Sequence, residues 1–217
     1  MSIELRCAAL LLDLDGVLVD SRDSVAAHWA AWSEQRGVPM EQLRPLMHGR
    51  PSRDVIAALA PELDADAEAV AIDGAQSGDP RGVRPLPGAA DLLASLPASA
   101  WAVVTSGRRV LAEARLTGQG LPLPGVMVCG EDVERGKPAP DGYLAAARAL
   151  DVPAEKCVVV EDAPPGLEAA AAAGMRALAV TTTHAASELA PALATISDLS
   201  ALTVTADDAG LRLAARR

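Results

Sequence analysis

Leu10-Leu11-Leu12-Asp13-Leu14-Asp15-Gly16-Val17 is an apolar strand that runs straight into two aspartates spaced i, i+2. Residues two apart on an extended strand point to the same face. Asp13 and Asp15 are therefore expected side by side where the strand ends. Two carboxylates facing one small volume repel each other and lose solvation. Folding alone does not favour that arrangement. It makes sense when a cation sits between them or when the two do different chemical jobs.

The rest of the chain places this strand in a sheet. Apolar runs at residues 8–12, 101–104, 126–129, 157–160 and 177–180 read as buried strands, and helical patterns at 88–96, 108–119, 141–150 and 164–173 separate the later ones. Continuous Val/Leu runs alternating with helices predict an α/β fold with a parallel sheet covered on both faces. The first gap breaks the rhythm: almost ninety residues separate the first two strands, with helical patterns at 21–36, 40–47, 52–60 and 65–75. A crossover between parallel strands does not need four helices. Residues 22–82 are expected to form an inserted helical cap domain, and residues 1–21 with 83–217 the core domain. The tail from 196 to 213 is expected to hold a short strand and a hairpin turning at Asp207-Asp208-Ala209-Gly210.

Composition narrows the function. The chain has 217 residues, half of them hydrophobic, with three Trp, one Tyr and no Phe. Scarce aromatics argue against base-stacking nucleic-acid modules. A net charge of −10 opposes nucleic acid and anionic membranes as partners. A small anionic substrate remains compatible, because a local cation reverses the field at one site. Lys137 and Lys156 are the only lysines beside 17 arginines, and Lys137 follows a strand in Arg135-Gly136-Lys137-Pro138. Cys7, Cys129 and Cys157 lack paired or metal-ligand spacing and read as reduced core thiols of a cytoplasmic protein. Asp13 and Asp15 interrupt the N-terminal apolar run, so neither a signal peptide nor a membrane span is expected. A monomer is the default expectation.

Four polar clusters follow strands at their carboxyl ends, the edge where open α/β sheets bind ligands. They are Asp13/Asp15, Thr105-Ser106-Gly107, Lys137 and Glu161-Asp162. Together they suit phosphoryl transfer. Asp13 is the candidate nucleophile. Mg²⁺ held by Asp13, Asp162 and the backbone carbonyl of Asp15, together with Lys137, would offset the repulsion between a carboxylate and a phosphate. Asp15 is the candidate general acid–base. Thr105 offers a hydroxyl, and the N–H groups of Ser106 and Gly107 offer an anion site at a helix start. Glu161 is expected behind the metal, holding its water.

These residues resemble the haloacid dehalogenase superfamily. Asp13-Leu14-Asp15-Gly16-Val17-Leu18-Val19-Asp20-Ser21, Val104-Thr105-Ser106, Gly136-Lys137-Pro138 and Val160-Glu161-Asp162-Ala163-Pro164 match its four motifs in order. The resemblance implies a Rossmann-like sheet of order 5-4-1-2-3, a mobile helical cap after the first strand, and an Mg²⁺-dependent aspartyl-phosphate mechanism. Within the superfamily, Asp15 argues against dehalogenases and phosphonoacetaldehyde hydrolases, which lack the second aspartate. The β-phosphoglucomutase branch shares the aspartate pair but carries a cap histidine where this chain has Val25. His48-Gly49-Arg50-Pro51 and Leu86-Pro87-Gly88-Ala89 are similar to sugar-phosphate and polyol-phosphate phosphatases. A phosphatase is the expected activity; a phosphomutase is the first alternative, and a non-catalytic metabolite-binding protein the second.

Other residues carry plainer expectations. Asp20 steadies the turn after the first strand, and Asp141 caps a helix. Glu161 and Asp162 alone would suit a helix cap near Pro164. Trp29 and Trp32, three apart, suit a helical core, and Trp29 is also a candidate substrate contact. Arg50 and Arg53 are candidates for a sugar hydroxyl or phosphate, with plain exposure as the alternative. His28, His48 and His184 show no ligand spacing and read as structural or exposed.

Overall fold

The computed structural model describes residues 2–47 and 50–216. His48 and Gly49, quoted above, lie outside the described residues. In chain order, β1 (Ser2–Cys7), β2 (Ala9–Leu12) and β3 (Val19–Asp20) precede helices α1 (Arg22–Arg36), α2 (Met40–Leu43), α3 (Ser52–Leu59) and α4 (Ala65–Ser77). Then come β4 (Arg84–Pro85), α5 (Ala89–Ser95), β5 (Trp101–Val104), α6 (Arg109–Gly118) and β6 (Met127–Val128). The chain continues through α7 (Asp141–Ala149), β7 (Cys157–Glu161), α8 (Pro164–Ala172), β8 (Arg176–Val180), β9 (Ala194–Ile196), β10 (Leu202–Asp207) and β11 (Gly210–Arg216).

The main sheet is parallel, with strand order β6-β5-β2-β7-β8-β9. The five strands expected from the sequence are β2, β5, β6, β7 and β8, and they keep the implied 5-4-1-2-3 neighbour order, with β9 added at one edge. The middle of the sheet is buried on both faces because β2 and β5 are apolar at every position and β7 is apolar up to Glu161. Along β2, Leu10 and Leu12 enter one core layer with Leu92, Leu116 and Leu213. Ala9 and Leu11 enter the other with Tyr143, Ala146, Leu167 and Ala170. β2, β5, β7 and β8 each supply both cores, and the polar residues that follow β2, β5 and β7 gather at one edge.

The tail hairpin is β10–β11, turning before Gly210. Its partner is an N-terminal strand not among the expected elements: β1 pairs antiparallel with β11 from Ser2↔Arg216 to Cys7↔Leu211. The missed signal is period-two alternation, with Ile3, Leu5 and Cys7 against Glu4 and Arg6, next to the stronger apolar run of β2. Glu4 pairs with Arg212 and Arg6 with Asp207 on the exposed side.

Helices α1–α4 gather a separate apolar cluster that includes Val25, Trp29, Trp32, Leu43, Ile56 and Ile72. Trp29 and Trp32 pack edge to face with ring centroids 5.4 Å apart, as their spacing predicts. The helix expected over 40–47 ends at Leu43. Arg44 keeps helical backbone, but Pro45 has no N–H to continue the i→i−4 ladder, which shortens it. The chain enters this helical segment through β3 and returns through β4, and the two pair as a short antiparallel ladder. Asp20 anchors the entry by accepting from Arg22 and Arg84 at 2.9 and 2.8 Å, and the Arg22 contact holds its carboxyl well below the usual range. This is the turn-steadying role expected of it.

Leu213 is 1% exposed and faces Leu5 and Val204 on its two neighbours. Leu213→Ala is expected to destabilise the protein by about 2–5 kcal/mol, measured by urea unfolding. A loss near zero would mean that the β1–β11–β10 sheet does not unfold with the core.

Candidate active site

Asp13, Asp15, Thr105, Lys137 and Asp162 come from four loops at the carboxyl edge of the parallel sheet and line one cavity. They meet there because β5, β2 and β7 are adjacent and parallel, so their ends coincide. Lys137 is carried in by the loop after β6. Its ammonium touches the Asp13 carboxylate, reaches Glu161 Oε1 at 2.6 Å, and donates to the Val104 carbonyl at 3.2 Å.

Glu161 is 1% exposed and is saturated by its partners. Oε1 also accepts from the Tyr143 hydroxyl at 2.9 Å, and Oε2 accepts from the Asp162 and Ala163 N–H groups at 2.9 and 3.2 Å. Asp162 is held by the Thr183 hydroxyl, which bonds its Oδ2. His184 Nδ1 lies 3.0 Å from the Asp162 carbonyl, so His184 braces the backbone of this loop. Thr182 bonds the Gly16 carbonyl. Neither threonine stands out in the sequence, because β8 joins the site only through sheet order.

Two glycines make the approach possible. Gly16 has φ +87°, and a Cβ there would overlap the Asp162 carboxylate. A Cβ on Gly166, at the start of α8, would overlap the Glu161 carboxylate.

Burial dominates the electrostatics. It pushes the Asp13 carboxyl up to about 7 against the pull of Lys137, and Glu161 and Asp15 add to the rise. Burial also raises Asp162 well above the usual carboxylate range, helped by Glu161 and Asp13. For Lys137, burial disfavours the ammonium, but Asp13 and Glu161 outweigh it and raise its pKa. Three buried carboxylates thus face one ammonium. Oxygens of Asp13, Glu161 and Asp162 lie within 4.8 Å of one another. A surplus of hard oxygen donors with negative charge fits a divalent cation such as Mg²⁺. The saturated oxygens of Glu161 suit it to a place behind the direct ligands.

Asp15 stands at the side of the cavity. The Ser21 hydroxyl donates to its Oδ1 at 2.6 Å, and Arg115 donates to its Oδ2 at 2.5 Å. Arg115, from α6, is 6% exposed and also donates to Gln76 Oε1 of α4 at 2.8 Å. Nothing in the sequence marks Arg115; its placement at Asp15 depends on α6 packing against α4.

Thr105 is buried, and its hydroxyl oxygen accepts from the Gly107 N–H at 3.1 Å. Gly107 was expected to present that N–H to an anion. It instead braces Thr105, a local turn bond that leaves the hydroxyl proton free to point outward. Ser106 lines the cavity beside them.

From the helical segment, Trp29 and Arg50 line the same cavity. Arg53 does not, contrary to expectation: it pairs with Asp66 at 3.0 Å, and both are largely exposed. Ser52 faces the cavity, and the next residue of the helix is turned about 100° away. Asp141 is the first residue of α7 rather than its cap, and it pairs with Arg135 at 3.0 Å. Its side chain is drawn to a guanidinium instead of the helix N–H groups. His28 bonds its own helix at the Ser24 carbonyl, 2.8 Å away. No helix among the described residues is long and apolar enough to cross a membrane.

Residues 7–174 match the haloacid dehalogenase-like hydrolase model. The chain is 38% identical over 207 residues to hexitol phosphatase A of Escherichia coli, covering 93% of this chain and 95% of that protein. It is 39% identical over 200 residues to validoxylamine A 7'-phosphate phosphatase of Streptomyces hygroscopicus subsp. limoneus, covering 88% and 93%. Among solved structures, CbbY of Rhodobacter sphaeroides in complex with phosphate superposes with a TM-score of 0.78 at 28% identity, covering 89% and 95%.

Gly166→Ala is expected to force Glu161 off Lys137, Tyr143 and its two N–H partners. Breaking such a buried pair costs about 3–5 kcal/mol, a loss that chemical denaturation of the variant would measure.

Proposed function

Because the chain belongs to the haloacid dehalogenase-like hydrolase family, we propose that it is an Mg²⁺-dependent phosphatase of small sugar or polyol phosphates that works through an aspartyl-phosphate intermediate. The observation that carries this reading is the setting of Asp13. It is a buried carboxylate at a cavity, with one lysine against it and Asp162 and Glu161 beside it. The substrate class is supported by the names of hexitol phosphatase A and validoxylamine A 7'-phosphate phosphatase.

The Asp13 carboxylate attacks phosphorus, and the bond from phosphorus to the substrate oxygen breaks as the bond to Asp13 forms. Lys137 offsets the charge of the approaching phosphoryl group. The Thr105 hydroxyl donates to a phosphoryl oxygen, with Gly107 holding the hydroxyl in place and Ser106 beside it. Asp15 turns from Arg115 and Ser21 toward the leaving oxygen and gives it a proton. It then takes a proton from the water that attacks phosphorus, and Asp13 departs as a carboxylate. Mg²⁺ would be held by Asp13, Asp162 and the Asp15 carbonyl, with Glu161 behind them, and would supply positive charge against the phosphoryl dianion.

Residues 22–82 serve as the cap over this site, with residues 1–21 and 83–217 as the core. Trp29 and Arg50 are its candidate substrate contacts. Val25 lines the cavity and offers no proton for transfer between sugar oxygens, which favours hydrolysis over a phosphomutase. The three cysteines are buried and unpaired, with Cys7 and Cys129 pushed up to about 12 by burial. Such reduced thiols suit a cytoplasmic protein.

Free-phosphate release from a panel of sugar and polyol phosphates tests the reading. Activity is expected to vanish on chelation, return with Mg²⁺, and fall at least about 10³-fold in Asp13→Asn. Return of labelled phosphate to the sugar would support the mutase instead. Asp15→Asn is expected to form a phosphoenzyme that hydrolyses poorly, with turnover of alkyl phosphates down about 10²–10⁴-fold. Intact-mass measurement after mixing with substrate would detect the adduct.

A further inference from the structure

One side of the cavity carries polar groups that the chemistry above does not use. Helix α4 places Asp73 and Gln76 three residues apart on one face, and both line the cavity. They are 2% and 5% exposed. A buried carboxylate and amide cost desolvation unless polar partners meet them. Part of that demand is met inside the protein. Ser52 of α3 donates to Asp73 Oδ1 at 2.7 Å, and Arg115 donates to Gln76 Oε1 at 2.8 Å. These bonds fix both side chains. With its carbonyl oxygen engaged by Arg115, Gln76 presents its amide N–H₂ as a donor. Asp73 presents a carboxyl that burial has raised above the usual range, with Ser52 opposing the rise.

An acceptor and a donor one helical turn apart match neighbouring hydroxyl groups, each of which both donates and accepts. They do not match a second anionic group. A substrate carboxylate beside Asp73 would bring like charges together in a poorly solvated wall. Trp29 and Val25 give the cavity apolar surface for the carbon chain.

We propose that Asp73 and Gln76 form the specificity-determining pair of this site. Asp73 accepts from one hydroxyl of the phosphorylated substrate and the Gln76 amide donates to its neighbour. Neutral polyol and sugar monophosphates are thereby selected over phosphorylated carboxylic acids. This rests on the phosphatase reading and extends it to residues of α4.

The test uses the full chain with Mg²⁺ and three probes: a hexitol 6-phosphate, phosphoglycolate, and p-nitrophenyl phosphate, which has no alcohol hydroxyls. Asp73→Asn keeps the shape and removes the charge. Gln76→Glu keeps an oxygen for Arg115 and removes the donor. Each is expected to lower kcat/KM for the hexitol phosphate at least about 10-fold more than for p-nitrophenyl phosphate, mainly through KM. Asp73→Asn should also narrow the preference over phosphoglycolate by about the same factor. Equal losses on all three probes in a folded Asp73→Asn, or in Gln76→Glu if Asp73→Asn does not fold, would overturn the assignment. A wild-type protein that releases phosphate from none of the probes would overturn the phosphatase reading and this one with it. A wild type active on p-nitrophenyl phosphate that favours phosphoglycolate over the hexitol phosphate would overturn the specificity alone.

Discussion

The Lys137 ammonium, held between Asp13 and Glu161, is the interaction on which the site depends. All three side chains are buried, and a buried charge is tolerable only when paired and hydrogen-bonded. Lys137 meets that requirement through two carboxylates and the Val104 carbonyl. The carboxylates are less fully served: Asp13 and Asp162 are both pushed upward by burial and by each other. The site is therefore built with negative charge in excess of its own cation. A fold that maintains such an excess favours a ligand that brings positive charge.

Maintaining it takes close packing from several directions. Tyr143 of α7 and two backbone N–H groups fix Glu161. Thr183, arriving from the far side of β7, fixes Asp162. Gly16 and Gly166 remove the Cβ atoms that would displace those carboxylates. None of these residues touches a reacting atom in the proposed chemistry. Their effect is to hold like charges at a distance that they would otherwise not keep. The cavity is completed by a helical segment with a different character: an apolar cluster of its own, plus Asp73, Gln76 and Arg50 facing inward. Arg115 joins the two regions, with one arm on Asp15 and the other on Gln76.

Much of this was legible in the sequence, because much of it is local. A strand that is apolar at every position has to be covered on both faces, whatever its neighbours. A pair of aspartates at i, i+2 has to share a face. Glycine and proline clusters mark the returns. The misses have separate causes. β1 is a strand because it pairs with β11 from the opposite end of the chain. Arg53 failed as a cavity residue because one helical step separates it from Ser52. Gly107 gave its N–H to Thr105, a competition between local bonds that composition does not resolve.

By itself, the sequence determined the parallel α/β architecture, the helical segment after the first catalytic-edge strand, and the identity of the groups at the strand ends. Periodicity and strand-end chemistry are properties of short stretches, so they survive without knowledge of partners. Only the tertiary structure decided which of these groups meet, which are buried, and what holds them. Arg115, Thr183, Asp73 and Gln76 are ordinary polar residues in sequence. They matter because sheet order and helix packing bring them to the same cavity, where low solvation makes each unpaired charge or hydrogen bond expensive.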